Sequence, residues 1–183
     1  MSSTSQSDPE IDQKLNNIKL MAMDVDGVLT DGLAFYGSDG FEGLSFDVQD
    51  GSGIKYLQRN GIEIALITGR SVPAVRERAE TLGIEYLYQG AKVKLDAYKD
   101  LKNRTGFTDQ QIGYAGDDLP DIPLLRTVGL AVAVANAREE IKQLADIVTT
   151  APGGHGAIRE IAEIILKSRG TWESVLNRYF EMT

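Results

Sequence analysis

Residues 18–32 read IKLMAMDVDGVLTDG: an apolar run ending in two aspartates one residue apart, then glycine and a short apolar–Thr–Asp–Gly sequence. Carboxylates at the end of a buried strand are costly unless something compensates their charge. The stretch therefore marks a strand and the place where its end does chemistry. From Ile18 onward short apolar runs alternate with helical patterns. Candidate strands are Lys19–Val25, Ile62–Thr68, Ile84–Tyr88, Gln111–Ala115, Gly129–Val134 and Ile147–Thr149. Between them lie amphipathic segments at Gly53–Asn60, Val72–Leu82, Val93–Arg104, Leu119–Thr127, Ala137–Leu144 and Ala157–Ser168. Spacings such as Val93, Ala97, Leu101 and Ile158, Ala162, Ile165 are helical. This alternation predicts crossover connections and an α/β fold, a mainly parallel sheet with helices on both faces.

One segment departs from the pattern. Residues 33–46, LAFYGSDGFEGLSF, carry aromatics on either side of GSDG, a hairpin signal directly after the first strand. Residues 1–16 read as a flexible polar tail, 17–170 as a single domain and 171–183 as a C-terminal tail. That last segment holds the only tryptophan, with Tyr179 and Phe180; it either folds back as a short helix or packs on a partner chain.

A chain of 183 residues buries about 70% of its unfolded surface. Hydrophobic content of 42% and charged content of 25% are ordinary for a globular protein. The formal net charge of −8 argues against nucleic acid or an anionic membrane as partner, since neutralising phosphates takes clustered Lys and Arg. A small anionic substrate then needs a local source of positive charge. The absence of cysteine excludes disulfides, thiolate catalysis and zinc–thiolate sites, and the single His155 excludes a multi-histidine metal centre. The polar N-terminus has no signal-peptide core, and no run approaches the roughly 18 apolar residues of a membrane span, which predicts a cytoplasmic protein.

In a parallel α/β sheet, ligands bind at the carboxyl ends of the strands. Those ends carry Asp24 and Asp26, Thr68-Gly69-Arg70, Gly90 to Lys94, and Gly116-Asp117-Asp118. The result is a carboxylate cluster with one hydroxyl and one lysine. Such carboxylates raise one another's pKa unless a cation intervenes, and oxygen ligands without His or Cys suit Mg²⁺. Thr68, the N–H groups at Gly69 and Lys94 could then hold a phosphate. Asp24 could act as nucleophile, with Asp26 protonating the leaving oxygen and later deprotonating water. Taken singly, each piece has a plain structural reading: an Asx turn at Asp24–Gly27, a helix cap at Thr68-Gly69, a helix start at GDDLPD (116–121), a solvated lysine at 94. Their common order at strand ends favours the functional one.

These motifs resemble the haloacid-dehalogenase superfamily of phosphatases: DVDGVLTDG as its first motif, LITGR as its second, Lys94 as its third and GDDLPD as its fourth, in order over about Lys19–Val148. The resemblance implies a three-layer Rossmann-like fold. It implies an aspartyl-phosphate on Asp24, general acid–base catalysis by Asp26 and phosphate binding by Thr68, Gly69 and Lys94. It further implies Mg²⁺ on Asp24, the Asp26 carbonyl and Asp117, with Asp118 supporting the metal site and Asp121 a weaker candidate for that role. About 36 residues separate Asp26 from the strand at Ile62, and about 25 separate Thr68 from Lys94, which leaves no room for a cap domain. Capless members with the hairpin and a later GGHGAIRE (153–160) include phosphatases of 3-deoxy-D-manno-octulosonate 8-phosphate (KDO 8-phosphate), the favoured expectation, and of nine-carbon sialic-type sugar phosphates. Such members are homotetramers assembled through their hairpins. Arg70, His155 and Arg159 are then candidate contacts to an acidic sugar phosphate, Arg70 because its fork matches a carboxylate. A non-catalytic assembly module of the same fold is the alternative from a different class.

Overall fold

The strand that ends in the paired aspartates, β1 (Leu20–Met23), is buried at every position, as expected only for a strand covered on both faces. The computed structural model describes residues 8–181. After α1 (Pro9–Asn17) and β1, the chain forms an antiparallel hairpin, β2 (Phe35–Tyr36) and β3 (Glu42–Gly43). It then alternates α2 (Val48–Arg59), β4 (Glu63–Ile67), α3 (Pro73–Thr81), β5 (Tyr86–Tyr88), α4 (Lys94–Thr105) and β6 (Ile112–Gly116). The remainder is α5 (Ile122–Leu125), β7 (Leu130–Ala133), α6 (Glu139–Lys142), β8 (Ile147–Val148), α7 (Ala157–Ser168) and α8 (Trp172–Phe180). Six strands form one parallel sheet in the order β5-β4-β1-β6-β7-β8. Buried side chains from β1, β4, β6 and β7 join those of the flanking helices in one core, against which β5 and Ile147 of β8 pack half-buried. This is the three-layer Rossmann-like α/β fold with its hairpin and without a cap.

The order places a topological switch at β1. The chain leaves β1 toward β4 and β5 on one side, then returns through α4 to β6 on the other. Crevices open at such points, outside the carboxyl ends of the strands.

Two boundaries differ from expectation, and the C-terminal segment takes one of its two expected forms. Within the expected flexible tail 1–16, residues 9–17 form a helix, while residues 1–7 lie outside the described residues. Asp8 caps α1 by accepting the Glu10 N–H at 2.9 Å, with Pro9 at the first position. Leu15 and Ile18 enter the core, and Lys14 pairs with Asp146 at 2.6 Å. Arg169 on the far end of α7 donates to the carbonyls of Leu15 and Ile18, closing the α1 C-terminus. α2 starts at Val48, five residues before the expected Gly53, because Asp47 caps it and its two glycines serve packing. The C-terminal segment folds back as α8, with Trp172 and Tyr179 edge-on to Tyr56 at 5.9 and 6.1 Å. No helix among the described residues is long and apolar enough to cross a membrane.

If α1 is a docked element, truncating its buried anchor destabilises the whole domain. Leu15→Ala should cost about 2–3 kcal/mol and lower Tm by roughly 4–12 °C. An unchanged melting curve would show that residues 9–17 contribute nothing to the fold.

Candidate active site

Four loops at the sheet's carboxyl edge converge on a cleft of about 360 Å³ bordered by Asp24, Asp26, Thr68, Lys94 and Asp117. Larger surface hollows lie at Ile62–Tyr86 and beside α6, but they do not bring together the acidic groups. The loop after β1 is held by its own backbone: the N–H groups of Val28, Leu29 and Thr30 all donate to the Val25 carbonyl. Thr30, fully buried, accepts from the N–H of Gly27 (3.3 Å) and of Gly32 (3.2 Å) through its hydroxyl. This brace fixes where Asp24 and Asp26 project.

Asp24 is nine-tenths buried. Its Oδ1 accepts the Val25 N–H at 2.7 Å, and its Oδ2 pairs with Lys94 Nζ at 2.8 Å. Lys94 is the first residue of α4, a position where the helix dipole opposes a cation. Two carboxylates offset that: Asp24 and the fully buried Asp121, whose Oδ1 lies 2.6 Å from the ammonium. The Lys94 pKa is accordingly raised: burial opposes the charge, but Asp24 and Asp121 outweigh it. Tyr114, also fully buried, donates to the same Asp121 oxygen at 2.7 Å and accepts from Lys94 at 3.3 Å. The other oxygen of Asp121 accepts the N–H groups of Asp117 (2.9 Å) and Asp118 (3.2 Å). One carboxylate thus positions the lysine and shapes the loop after β6.

Asp117 stands opposite Asp24. Oxygens of Asp24, Asp117 and Asp121 lie within 4.8 Å of one another. Asp117 Oδ1 is buried and has no hydrogen-bond partner. Burial, then the charges of Asp24, Asp121 and Asp118, push the Asp117 carboxyl up to about 7. Burial raises Asp24 to about 6 against the pull of Lys94, with Asp121 raising it further. Asp121 and Asp24 have both oxygens engaged, so the free donor for a cation is Asp117, with the Asp24 carboxylate next to it. An orphaned buried oxygen, two raised carboxyls and an all-oxygen donor set fit a hard divalent ion such as Mg²⁺. Gly27 is required here: at φ +86°, a Cβ would stand 2.2 Å from Asp117 Oδ2.

The remaining candidates fall into two groups. Thr68, buried, donates to Asp26 Oδ2 at 3.4 Å and accepts the Arg70 N–H at 3.2 Å, and Gly69 is exposed beside it at the rim. Arg70 reaches back to Asp26 Oδ1 at 2.6 Å and also binds Glu42 of the hairpin. His155 is exposed on a loop whose glycines press against the Asp24 loop. Asp118 is exposed at the cleft border, while Asp121, the weaker candidate for a supporting role, is the one turned inward under the loop. One expectation needs correcting. Arg159 does not face the cleft: its guanidinium lies over Tyr56 (4.8 Å) and Trp172 (5.4 Å) and pairs with Glu163 at 2.9 Å, an aromatic contact that fastens α7 to α2 and α8. Tyr114, Thr30 and Asn136 were not expected; Asn136 donates to the Gly27 carbonyl at 3.0 Å and accepts the Gly153 N–H at 2.6 Å.

The chain's likenesses agree with this geometry. A family model for haloacid dehalogenase-like hydrolases matches residues 87–161. The 3-deoxy-D-manno-octulosonate 8-phosphate phosphatase KdsC of Salmonella typhimurium is 44% identical over 162 residues, covering 88% of this chain and 86% of that protein. Among solved structures, the phosphatase of that name from Moraxella catarrhalis, in complex with magnesium ion, phosphate ion and KDO, superposes with a TM-score of 0.91 at 43% identity, over 93% of this chain and 98% of that one. The Yersinia pestis phosphatase gives 0.88 at 43%, over 90% and 89%. The chain belongs to the haloacid dehalogenase-like hydrolases, in the family of these phosphatases.

Both raised carboxyls bind protons more tightly when folded than when unfolded. Their contribution to stability is therefore greatest below about pH 4 and is lost as pH rises through 6–7. A cation offsets that loss. At a hundredfold excess over its Kd, Mg²⁺ should add about 2.7 kcal/mol at pH 8, or roughly 5–10 °C in Tm, and much less at pH 5.5. Asp117→Asn should raise the metal-free Tm at pH 8 and erase the Mg²⁺ shift. Equal shifts at both pH values would refute this electrostatic account.

Proposed function

We propose that the chain is a Mg²⁺-dependent phosphomonoesterase that hydrolyses 3-deoxy-D-manno-octulosonate 8-phosphate to KDO and phosphate. The observation that carries the reading is the buried Asp24–Lys94 pair facing the unpartnered oxygen of Asp117, in a chain 44% identical to phosphatases of that specificity. An Asp24 oxygen attacks phosphorus, the P–O bond to the sugar breaks, and the Asp26 carboxyl gives its proton to the departing oxygen. The Asp26 carboxylate then takes a proton from water, whose oxygen attacks phosphorus, releasing phosphate and regenerating Asp24. As Asp24 passes its charge to the phosphoryl group, the Lys94 ammonium exchanges a carboxylate oxygen for a phosphoryl oxygen and loses no partner. The Thr68 hydroxyl and the N–H groups at Gly69 and Arg70 take the remaining oxygens. Mg²⁺ held by Asp24, the Asp26 carbonyl and Asp117 supplies charge neutralisation and Lewis-acid polarisation.

Arg70 already binds two carboxylates, Asp26 and Glu42, which supports it as the contact to the acid group of the sugar. His155, on the loop packed against the Asp24 loop, is the candidate for a hydroxyl of the sugar. The hairpin exposes Leu33, Phe35, Tyr36 and Phe41, each more than half exposed, which supports assembly of four copies through it. We place the enzyme in the cytoplasm.

Asp24→Asn should reduce turnover at least about 10³-fold with an unchanged circular dichroism spectrum; near-normal activity would remove Asp24 as nucleophile. A comparison of kcat/KM over KDO 8-phosphate, a nine-carbon sialic-type phosphate and neutral sugar phosphates should favour the first. A clear preference for the nine-carbon acid would reassign the substrate. Light scattering should give a mass near four subunits for the wild type and a smaller one for Tyr36→Glu/Phe41→Glu, whereas a monomeric wild type would exclude hairpin assembly.

A further inference from the structure

Asp50 lies in the first turn of α2 and is fully buried, and the chemistry above does not use it. Its carboxylate points across to α7, where Oδ1 accepts the Arg159 N–H at 2.9 Å and Oδ2 accepts the Gly156 N–H at 3.2 Å. α7 has no cap of its own, because its N-cap residue is Gly156 at φ +97°, with no side chain to offer. A carboxylate from the neighbouring helix supplies the cap, at the end where the helix dipole favours an anion. Burial raises the Asp50 carboxyl while the Arg159 and Gly156 N–H groups oppose the rise. Gly53, one turn on, lets the two helices close: a Cβ there would stand 2.8 Å from Arg159 Cα.

The segment so anchored is pressed onto the nucleophile loop backbone to backbone. A Cβ at Gly153 would lie 1.8 Å from the Gly27 carbonyl oxygen, and one at Gly154 would lie 2.3 Å from the Asp31 nitrogen. The Gly154 N–H donates to the Val28 carbonyl at 3.1 Å. Gly27, on its other side, abuts the Asp117 carboxylate. A short rigid path therefore runs from Asp50 through Gly156, Gly153 and Gly27 to Asp117, with no long side chain in it to absorb a displacement.

We infer that Asp50 is a positioning residue for the reaction: by capping α7 from α2 it clamps the 153–156 loop onto the Asp24–Asp31 loop and keeps Asp117 in register with Asp24. The inference rests on the phosphatase reading above. The test compares Asp50→Ala, Asp50→Asn and Ile161→Val, a buried α7 change outside the site, each assayed with KDO 8-phosphate well below its own Tm. Asp50→Ala should lower kcat and raise the Mg²⁺ concentration for half-maximal turnover by about tenfold each. It should also speed amide hydrogen exchange at residues 27–31 and 153–157. Asp50→Asn keeps an accepting oxygen and should show a smaller loss of the same kind. Ile161→Val should lower Tm while leaving kcat, Mg²⁺ dependence and exchange at 27–31 as in the wild type. Wild-type kcat and exchange in Asp50→Ala, or in Asp50→Asn if the alanine variant does not fold, would overturn the clamp. So would equal losses in Ile161→Val. An inactive wild type would instead refute the phosphatase reading, and the exchange comparison, which needs no substrate, would still decide the clamp.

Discussion

The site depends on a buried ammonium that cannot be left alone. Lys94 Nζ spends its three protons on Asp24, Asp121 and the Tyr114 hydroxyl, at the positive end of α4. Losing both carboxylates would strand the ammonium in a low-dielectric interior, a loss of several kcal/mol even after relaxation, whereas either one alone still pairs it. The converse also holds: without Lys94, Asp24, Asp121 and Asp117 would crowd three carboxylates within 4.8 Å. The lysine settles Asp24 and Asp121 and leaves Asp117 unsatisfied. A local excess of negative charge, sized for one divalent cation, follows from counting those partners.

Around this centre the walls are built from main chain. Gly27, Gly153 and Gly154 occupy positions where a Cβ would collide with neighbouring backbone or with Asp117 itself. Loops that touch through peptide groups have few low-energy alternatives, because hydrogen bonds such as Gly154 N–H to Val28 O fix both at once. Preorganisation of this kind is what electrostatic catalysis requires, since dipoles already in place need not reorganise during the reaction.

The residues that meet at the sheet edge are legible in the sequence because each follows directly on an apolar run long enough to be a buried strand. Asp24, Thr68 and Asp117 each stand one or two positions past such a run. What escapes the sequence is whatever depends on tertiary partners. The α1 segment is too polar to read as core, and only Arg169, more than 150 residues away, closes its end. The expected helix begins only at Gly53, with Gly51 ahead of it, yet both glycines lie within α2, where a larger residue at 53 would push α7 away. The sequence favours Asp118 over Asp121 for the supporting role; the turn at Leu119–Asp121 is what turns Asp121 inward. Arg159 reads as a substrate contact because it follows a glycine-rich loop, but two aromatic rings distant in sequence claim its guanidinium.

The hairpin follows β1 directly, and Arg70 ties it to the cleft. Arg70 joins Glu42 on β3 to Asp26, so a shift of the hairpin changes the partner of the carboxylate proposed as general acid and base. A carboxylate arriving on a substrate enters the same competition, since a guanidinium fork can be shared among acids but not multiplied. The Asp24–Lys94–Asp121 core is closed to such exchange by burial. On the proposed reading, the chemistry and the selection of substrate sit on parts of the chain with different freedom: one locked by buried paired charges, the other governed by an ion pair whose groups are between about a quarter and a third exposed.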